Sequence, residues 1–269
     1  MKLINIIEPL FLRMMDRVFA RLPQPFPPKE FFKAVTIFSH RGEHDNLNIM
    51  ENSLVAFERA YAAGVGGIEF DVRWTSDLIP VVFHDSNLKR IFDVPKKLAD
   101  YSMSTLRREF PVIPSLDEVI AGFGKRLHLM IELKKEHFPD PRMQAECLLR
   151  TLKPLKAECD FHLISLTPDL FKIFKGFSAS TYLPIARIRA RAMSMQSIEK
   201  SFGGIIGHYL FITEPMIDRH HRFFQKIGAG FIHSPNSLFR EINRGVDWIF
   251  SDRAVWLQKL VNDLVDCDS

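Results

Sequence analysis

With 269 residues and 46% hydrophobic content, the chain can bury a full core as one large α/β barrel or two small domains, and one domain is the simpler reading. The formal net charge of +4, from 36 basic against 32 acidic residues, is mild and spread out, so nucleic acid is not expected as a partner. Cys147, Cys159 and Cys267 form no Cys-x-x-Cys pair and no metal-ligand spacing, which fits a reducing, cytoplasmic setting, and no window approaches an uncharged membrane span.

Along residues 3–19, Leu3, Ile7, Leu10, Met14 and Val18 recur at helical spacing, which predicts an amphipathic helix whose regular part starts at Pro9. Glu8, Arg13, Asp16 and Arg17 interrupt the apolar residues, and no small-residue cleavage site follows, so a secretory signal is not expected. A helix that plugs or packs on a barrel is preferred here to a membrane-surface anchor, with a peripheral membrane contact left open. Leu22-Pro-Gln-Pro-Phe-Pro-Pro28 cannot be helical and reads as a linker. Residues 1–30 are therefore expected to be a helix and linker, and 31–269 a single domain.

Eight apolar runs then alternate with helical patterns: Val35–Ser39, Gly67–Val72, Leu127–Leu133, Phe161–Leu166, Tyr182–Ile188, Gly204–Phe211, Gly228–His233 and Val246–Ser251. Strand alternating with helix implies a parallel sheet, and eight such strands suggest closure into a (β/α)8 TIM barrel. Pro80–His84 is too close to the second run for a helical crossover, so it is expected to form a hairpin with that strand. A small insertion from Ser86 to Ser115 follows, in which Asp-Tyr-Ser-Met-Ser-Thr-Leu suggests a short capped helix.

The chemistry-bearing residues sit where these strands end. In Gly67-Ile-Glu-Phe-Asp-Val72, Glu69 and Asp71 are two apart and share a face, and two neighbouring carboxylates stay ionised in a poorly solvated site only with a cation beside them. Glu132 and Lys134 share a face of the next strand and add a third carboxylate and an ammonium. Oxygen ligands of this kind suit Mg2+ or Ca2+ rather than zinc. His40 follows the first strand and His84 the hairpin strand, an acid and base pair at the same rim, while His128, His162, His208, His220 and His221 read as satisfied structural groups. Arg41 adds a planar fork suited to phosphate oxygens. Asn52 and Ser53 read as caps, and Asp247 and Asp252 as structural hydrogen-bonding groups. Continued strand geometry would place Arg187, Arg189 and Arg191 on one face, for which a solvated basic loop is slightly preferred to an anion site.

His40-Arg41-Gly42, Glu51-Asn-Ser-Leu54, Gly67-Ile-Glu-Phe-Asp-Val72, Pro80-Val-Val-Phe-His-Asp85 with Leu88 and Arg90, Ile131-Glu-Leu-Lys134 and Gly245-Val-Asp-Trp-Ile-Phe-Ser-Asp252 together resemble the glycerophosphodiester phosphodiesterase family over residues 35–253. The resemblance implies a phosphodiesterase barrel with His40 and His84 as general acid and base, Glu69, Asp71 and Glu132 as ligands of a divalent metal, and Arg41 and Lys134 near the phosphate. It implies a small-molecule phosphodiester substrate, cleaved to glycerol 3-phosphate and an alcohol. A lysophospholipase D-like enzyme acting on membrane-derived lipids is the alternative, and a non-catalytic phosphate-binding barrel a more remote one. The sequence departs from the family pattern at Met50, at Leu78 and in the longer polar stretch from Glu43 to Asn48, where His44 could compete with His40.

Overall fold

In a computed structural model, which describes residue 12, residues 14–187 and residues 189–266, eight parallel strands close on one another and a ninth pairs outside the ring. The strands are β1 (Thr36–His40), β2 (Gly67–Trp74), β3 (Pro80–Val82), β4 (His128–Leu133), β5 (Phe161–Ser165), β6 (Tyr182–Ala186), β7 (Gly204–His208), β8 (Lys226–Gly230) and β9 (Trp248–Ser251). The order β1-β9-β8-β7-β6-β5-β4-β2, with β1 also pairing β2, closes the barrel. Among the described strands only β3 is antiparallel, running back along β2 through Val72–Val82 and Trp74–Pro80 pairs. The (β/α)8 architecture and the hairpin are thus both present.

Helix starts follow local chemistry. Ser53 accepts from Ala56 N at the head of Leu54–Ala62, Ser115 and Glu118 form a reciprocal capping box before Leu116–Phe123, and Ser102 caps Met103–Glu109 in the insertion. Asp140 and Ser234 each cap a helix that begins with proline, whose missing N–H costs nothing there. The insertion buries Leu88, Leu98, Tyr101, Leu106 and Ile113 against Val81 and Phe83 as a small second core at β3.

Inside the barrel, alternation along each strand stacks side chains in layers. His128, Met130 and Glu132 rise along β4, and their registered partners on β2 are Gly67, Glu69 and Asp71. At the N-terminal end of the strands, His128, His162 and Trp248 form a floor, with the His162 ring 5.0 Å from His128 and 5.2 Å from Trp248. The middle is apolar: Phe38, Met130, Ile164, Leu183, Ile206 and Phe250 are buried together. Polar residues return only at the C-terminal rim.

Several strands stop earlier than their apolar runs, because the chain turns at the rim. The clearest case is β6, which ends at Ala186, and from Ala190 the chain is helical to Glu199. Arg187, Arg189 and Arg191 therefore do not alternate along one strand face, contrary to the sequence expectation; all three are exposed. Of the amphipathic N-terminal helix, residues 3–11 and Arg13 lie outside the described residues, as does Cys267, while Leu12 and residues 14–19 are helical. The proline-rich linker is strapped down: Asn243 Nδ2 donates to Pro25 O at 2.8 Å, and the Phe26 ring lies 5.5 Å from Phe239.

Candidate functional site

A cavity of about 530 Å3 opens at the C-terminal rim, and its two walls differ. His40, Arg41, Glu69, His84, Glu132 and Lys134 line one side, whereas Ile164, Leu166, Ile185, Ile206, Phe211 and Phe231 line the other. Asp71 lies behind the polar wall and is fully buried.

Strand register explains why the carboxylates meet. His40 pairs Glu69 across β1 and β2, and Asp71 pairs Glu132 across β2 and β4, so all four point inward from adjacent strands. Ligand atoms of Glu69, Asp71 and Glu132 lie within 4.8 Å of one another, and all three residues are buried. Lys134 Nζ bridges two of them, 2.9 Å from Asp71 Oδ1 and 2.9 Å from Glu132 Oε1. Asn52 Nδ2 donates to Asp71 Oδ2 at 2.8 Å, and Arg41 Nε stands 3.3 Å from the same oxygen.

Charge is shared unevenly among the three. Burial pushes each carboxyl up, but Lys134 and Arg41 overcome it at Asp71 and hold that group well below the usual carboxylate range. At Glu69, burial and the neighbouring Asp71 outweigh the pull of His40 and Arg41 and push it up to about 8, and its Oε2 is buried with no hydrogen-bond partner. Burial and Asp71 also raise Glu132, against the pull of Lys134. An all-oxygen donor set that is short of positive charge and has an unpartnered buried oxygen fits a hard divalent cation.

Both rim histidines are held by carboxylates. Nδ1 of His40 donates to Asp252 Oδ1 at 2.5 Å, and Nδ1 of His84 to Asp85 Oδ1 at 2.6 Å, which leaves Nε2 of each ring for proton exchange. Burial disfavours the charged form of both. Glu69 and Asp252 outweigh it at His40, whose pKa is raised, whereas burial prevails at His84, whose pKa is lowered. The backbone beside His40 is unusual: Arg41 has φ 60° and Gly42 φ 80°. A Cβ on Gly42 would sit 2.7 Å from Ala56 Cβ, so glycine is required both by conformation and by the close approach of the helix Leu54–Ala62.

The seven residues singled out from the sequence thus converge on one rim. His44 does not join them; its Nδ1 bonds Gly42 O at 2.9 Å, outside the cavity wall. Of the three arginines after β6, only Arg187 lines the cavity. Sequence reasoning undervalued several neighbours. Asp252 was read as a hydrogen-bonding group, and it is one, but its partner is His40; the pairing of β9 with β1 in a closed barrel carries that information. Asn52 reaches Asp71, and the cap belongs to Ser53 alone. His208 and His233 line the cavity, together with Leu12 and Asp16 from the N-terminal helical segment, where Asp16 accepts from Tyr209 Oη at 2.7 Å.

The sequence profile of the glycerophosphoryl diester phosphodiesterase family matches residues 40–173. A glycerophosphodiester phosphodiesterase of Bacillus altitudinis is 34% identical over 235 residues, which is 80% of this chain and 94% of that protein. Among solved structures, the glycerophosphodiester phosphodiesterase of Thermotoga maritima superimposes with a TM-score of 0.70 at 26% identity, covering 84% of this chain and 98% of the other. An Oleispira antarctica phosphodiesterase, determined with the product sn-glycerol-3-phosphate, shares the fold at a TM-score of 0.72 and 20% identity, covering 86% and 98% of the two chains.

Proposed function

This chain belongs to the glycerophosphoryl diester phosphodiesterase family and is a phosphoric diester hydrolase acting on glycerophosphodiesters; from that premise we propose that Glu69, Asp71 and Glu132 hold one divalent cation, Mg2+ or Ca2+, and that His40 and His84 move the protons. The observation that carries the reading is the buried trio, with its unpartnered Glu69 Oε2, standing between two carboxylate-held histidines in one cavity. When bound, the cation supplies electrostatic stabilisation of the charge that builds on phosphate oxygen as phosphorus becomes five-coordinate.

The protein's own residues do the rest. Arg41 and Lys134, whose cationic heads stand beside Asp71, bind and orient the phosphate. One histidine takes the proton of the attacking hydroxyl, from water or from the glycerol, and the other protonates the leaving oxygen. Asp252 and Asp85 hold the two rings so that Nε2 faces the reacting atoms. Residues 31–269 act as the single catalytic domain, with residues 1–30 as an appended helix and linker.

The apolar wall favours a second reading of the substrate: a membrane-derived lipid, cleaved in the manner of a lysophospholipase D at a membrane surface. On the N-terminal helical segment Leu12 and Asp16 face the cavity, while Met14 and Val18, one helical turn apart, are about half exposed beside exposed Arg17, and exposed Arg21 and Leu22 follow in the turn. No described helix is long and apolar enough to cross a membrane, so the contact would be peripheral.

A panel of glycerophosphodiesters and lysophospholipids, assayed for glycerol 3-phosphate and for the released alcohol, tests both readings. Release of glycerol 3-phosphate from short-chain substrates supports the first reading. Turnover of lysophospholipids alone, dependent on vesicles, supports the second. No release of glycerol 3-phosphate or phosphatidate-type product from any of them would contradict both.

A further inference from the structure

We propose that Glu51 is a positioning residue of this reaction, a hub that locks the His84 arm and the Arg41 arm of the site into one frame. The inference rests on the roles given above to His84 and Arg41.

Three separate segments of the chain meet at this carboxylate. Arg41 follows β1, Glu51 precedes the helix Leu54–Ala62, and Arg90 belongs to the insertion after β3. Both oxygens of Glu51 are used. Oε1 accepts from Arg41 Nη1 at 3.0 Å and from Arg90 Nη2 at 2.5 Å, and Oε2 accepts from Arg90 Nη1 at 2.8 Å and from Asn46 Nδ2 at 2.8 Å. Arg90 therefore grips Glu51 with a two-pronged fork and has its Nε left to donate to Asp85 Oδ2 at 2.6 Å. The other oxygen of Asp85 accepts the hydrogen bond from His84 Nδ1. The chain of contacts runs His84, Asp85, Arg90, Glu51, Arg41, Asp71 without a gap wider than the 3.3 Å from Arg41 Nε to Asp71.

Glu51 itself is buried, and burial works against its charge, yet Arg90, Arg41 and Asn46 hold its carboxyl at about 2. A carboxylate that is buried, ionised and shared by two arginines sets the angle of both forks at once. Glutamine would keep the shape but place an NH2 against Asn46 Nδ2 and Arg90 Nη1, donor against donor. Arg90 would then lose its grip, Asp85 would be free to turn, and the His84 ring would no longer have a fixed tautomer and direction. Arg41 would keep only Asp71 to orient it. The hub touches neither substrate nor metal, so its effect travels entirely through these two neighbours.

The two arms predict different kinetic signatures. Glu51→Gln loosens both, so kcat on a soluble glycerophosphodiester should fall about 10–100-fold, the usual worth of a partner that orients a functional group, and KM should rise. Arg90→Lys, at a half-exposed position where folding is not at stake, loosens only the His84 arm and should lower kcat with KM unchanged. Combining Glu51→Gln with His84→Ala should cost little kcat beyond His84→Ala alone, because the arm that transmits the effect is already gone. A merely structural role would instead multiply the two losses in full. That result, or normal kcat in both Glu51→Gln and Arg90→Lys beside an impaired His84→Ala, overturns the hub alone. Normal kcat in His84→Ala overturns the catalytic role of His84 and the hub with it.

Discussion

At the rim of the barrel, His40 and His84 each donate to a carboxylate; at the floor, His128 and His162 bond each other at 2.8 Å between the rings of Phe38 and Trp248. The residue type is the same and the strands are neighbours, so the difference lies in the company. Floor histidines meet aromatic faces and a backbone carbonyl of Cys159, and burial lowers their pKa to about 4 for His128 and about 3 for His162. They remain neutral and fill space. Rim histidines stand in an open cavity among charges, where gaining or losing a proton is supported by a fixed acceptor. On the proposed mechanism, protonation at one end of the barrel serves chemistry and at the other end threatens the fold.

The comparison breaks first if the rim carboxylates prove structural. Glu69→Gln, Asp71→Asn and Glu132→Gln each delete one anionic oxygen with little change in volume, and each should remove several kcal/mol of transition-state stabilisation, about three orders of magnitude in kcat. Titration calorimetry should record weakened divalent-ion binding in all three, and unchanged binding would show that the cluster holds no ion. His40→Ala and His84→Ala come next, each lowering the chemical step by about two to four orders of magnitude while the ion still binds. Near-normal turnover of a substrate with a poor leaving group by either variant would remove that histidine from the mechanism.

The floor should respond to pH rather than to substrate. Both floor histidines have folded pKa values below the ordinary 6.5, so as pH falls the unfolded chain takes up protons before the folded one. Stability is full above about pH 6.5 and declines towards pH 4, by on the order of 3 kcal/mol for each histidine. Denaturant melts across that window should show the decline, and His162→Phe should flatten it while leaving neutral-pH kcat intact. An identical slope in the variant would mean that the acid sensitivity arises elsewhere. The smallest effect is expected on the apolar wall: Leu166→Ser should lower kcat/KM for a long-chain alcohol by about tenfold relative to a short polar one. Equal changes for both would show that Leu166 does not touch the alcohol.

The same contrast explains what could be read from the sequence. Strand alternation and the placement of His40, Glu69, Asp71, His84, Glu132 and Lys134 at strand ends carry the barrel and the polar wall, because parallel register converts residues two apart into neighbours on one face. What pairs with them was harder to see. Asp252 and Asn52 reach the site only through barrel closure and a left-handed turn, Asn52 having φ 59°. Asp16, His208 and Phe231 enter the cavity from segments whose sequence carries only a general pattern. The arginines after β6 show the limit of strand logic: a two-residue period says nothing about where the chain turns into a helix.

The central claim is that the buried trio holds a cation needed for turnover. The most direct test is the hydrolysis of a soluble glycerophosphodiester by chelator-treated protein as a divalent ion is returned. The account predicts negligible turnover without ion, recovery on adding Mg2+ or Ca2+ to wild-type protein, and no recovery at the same concentrations in Glu69→Gln. Full turnover in excess chelator, with glycerol 3-phosphate still the product, would contradict it.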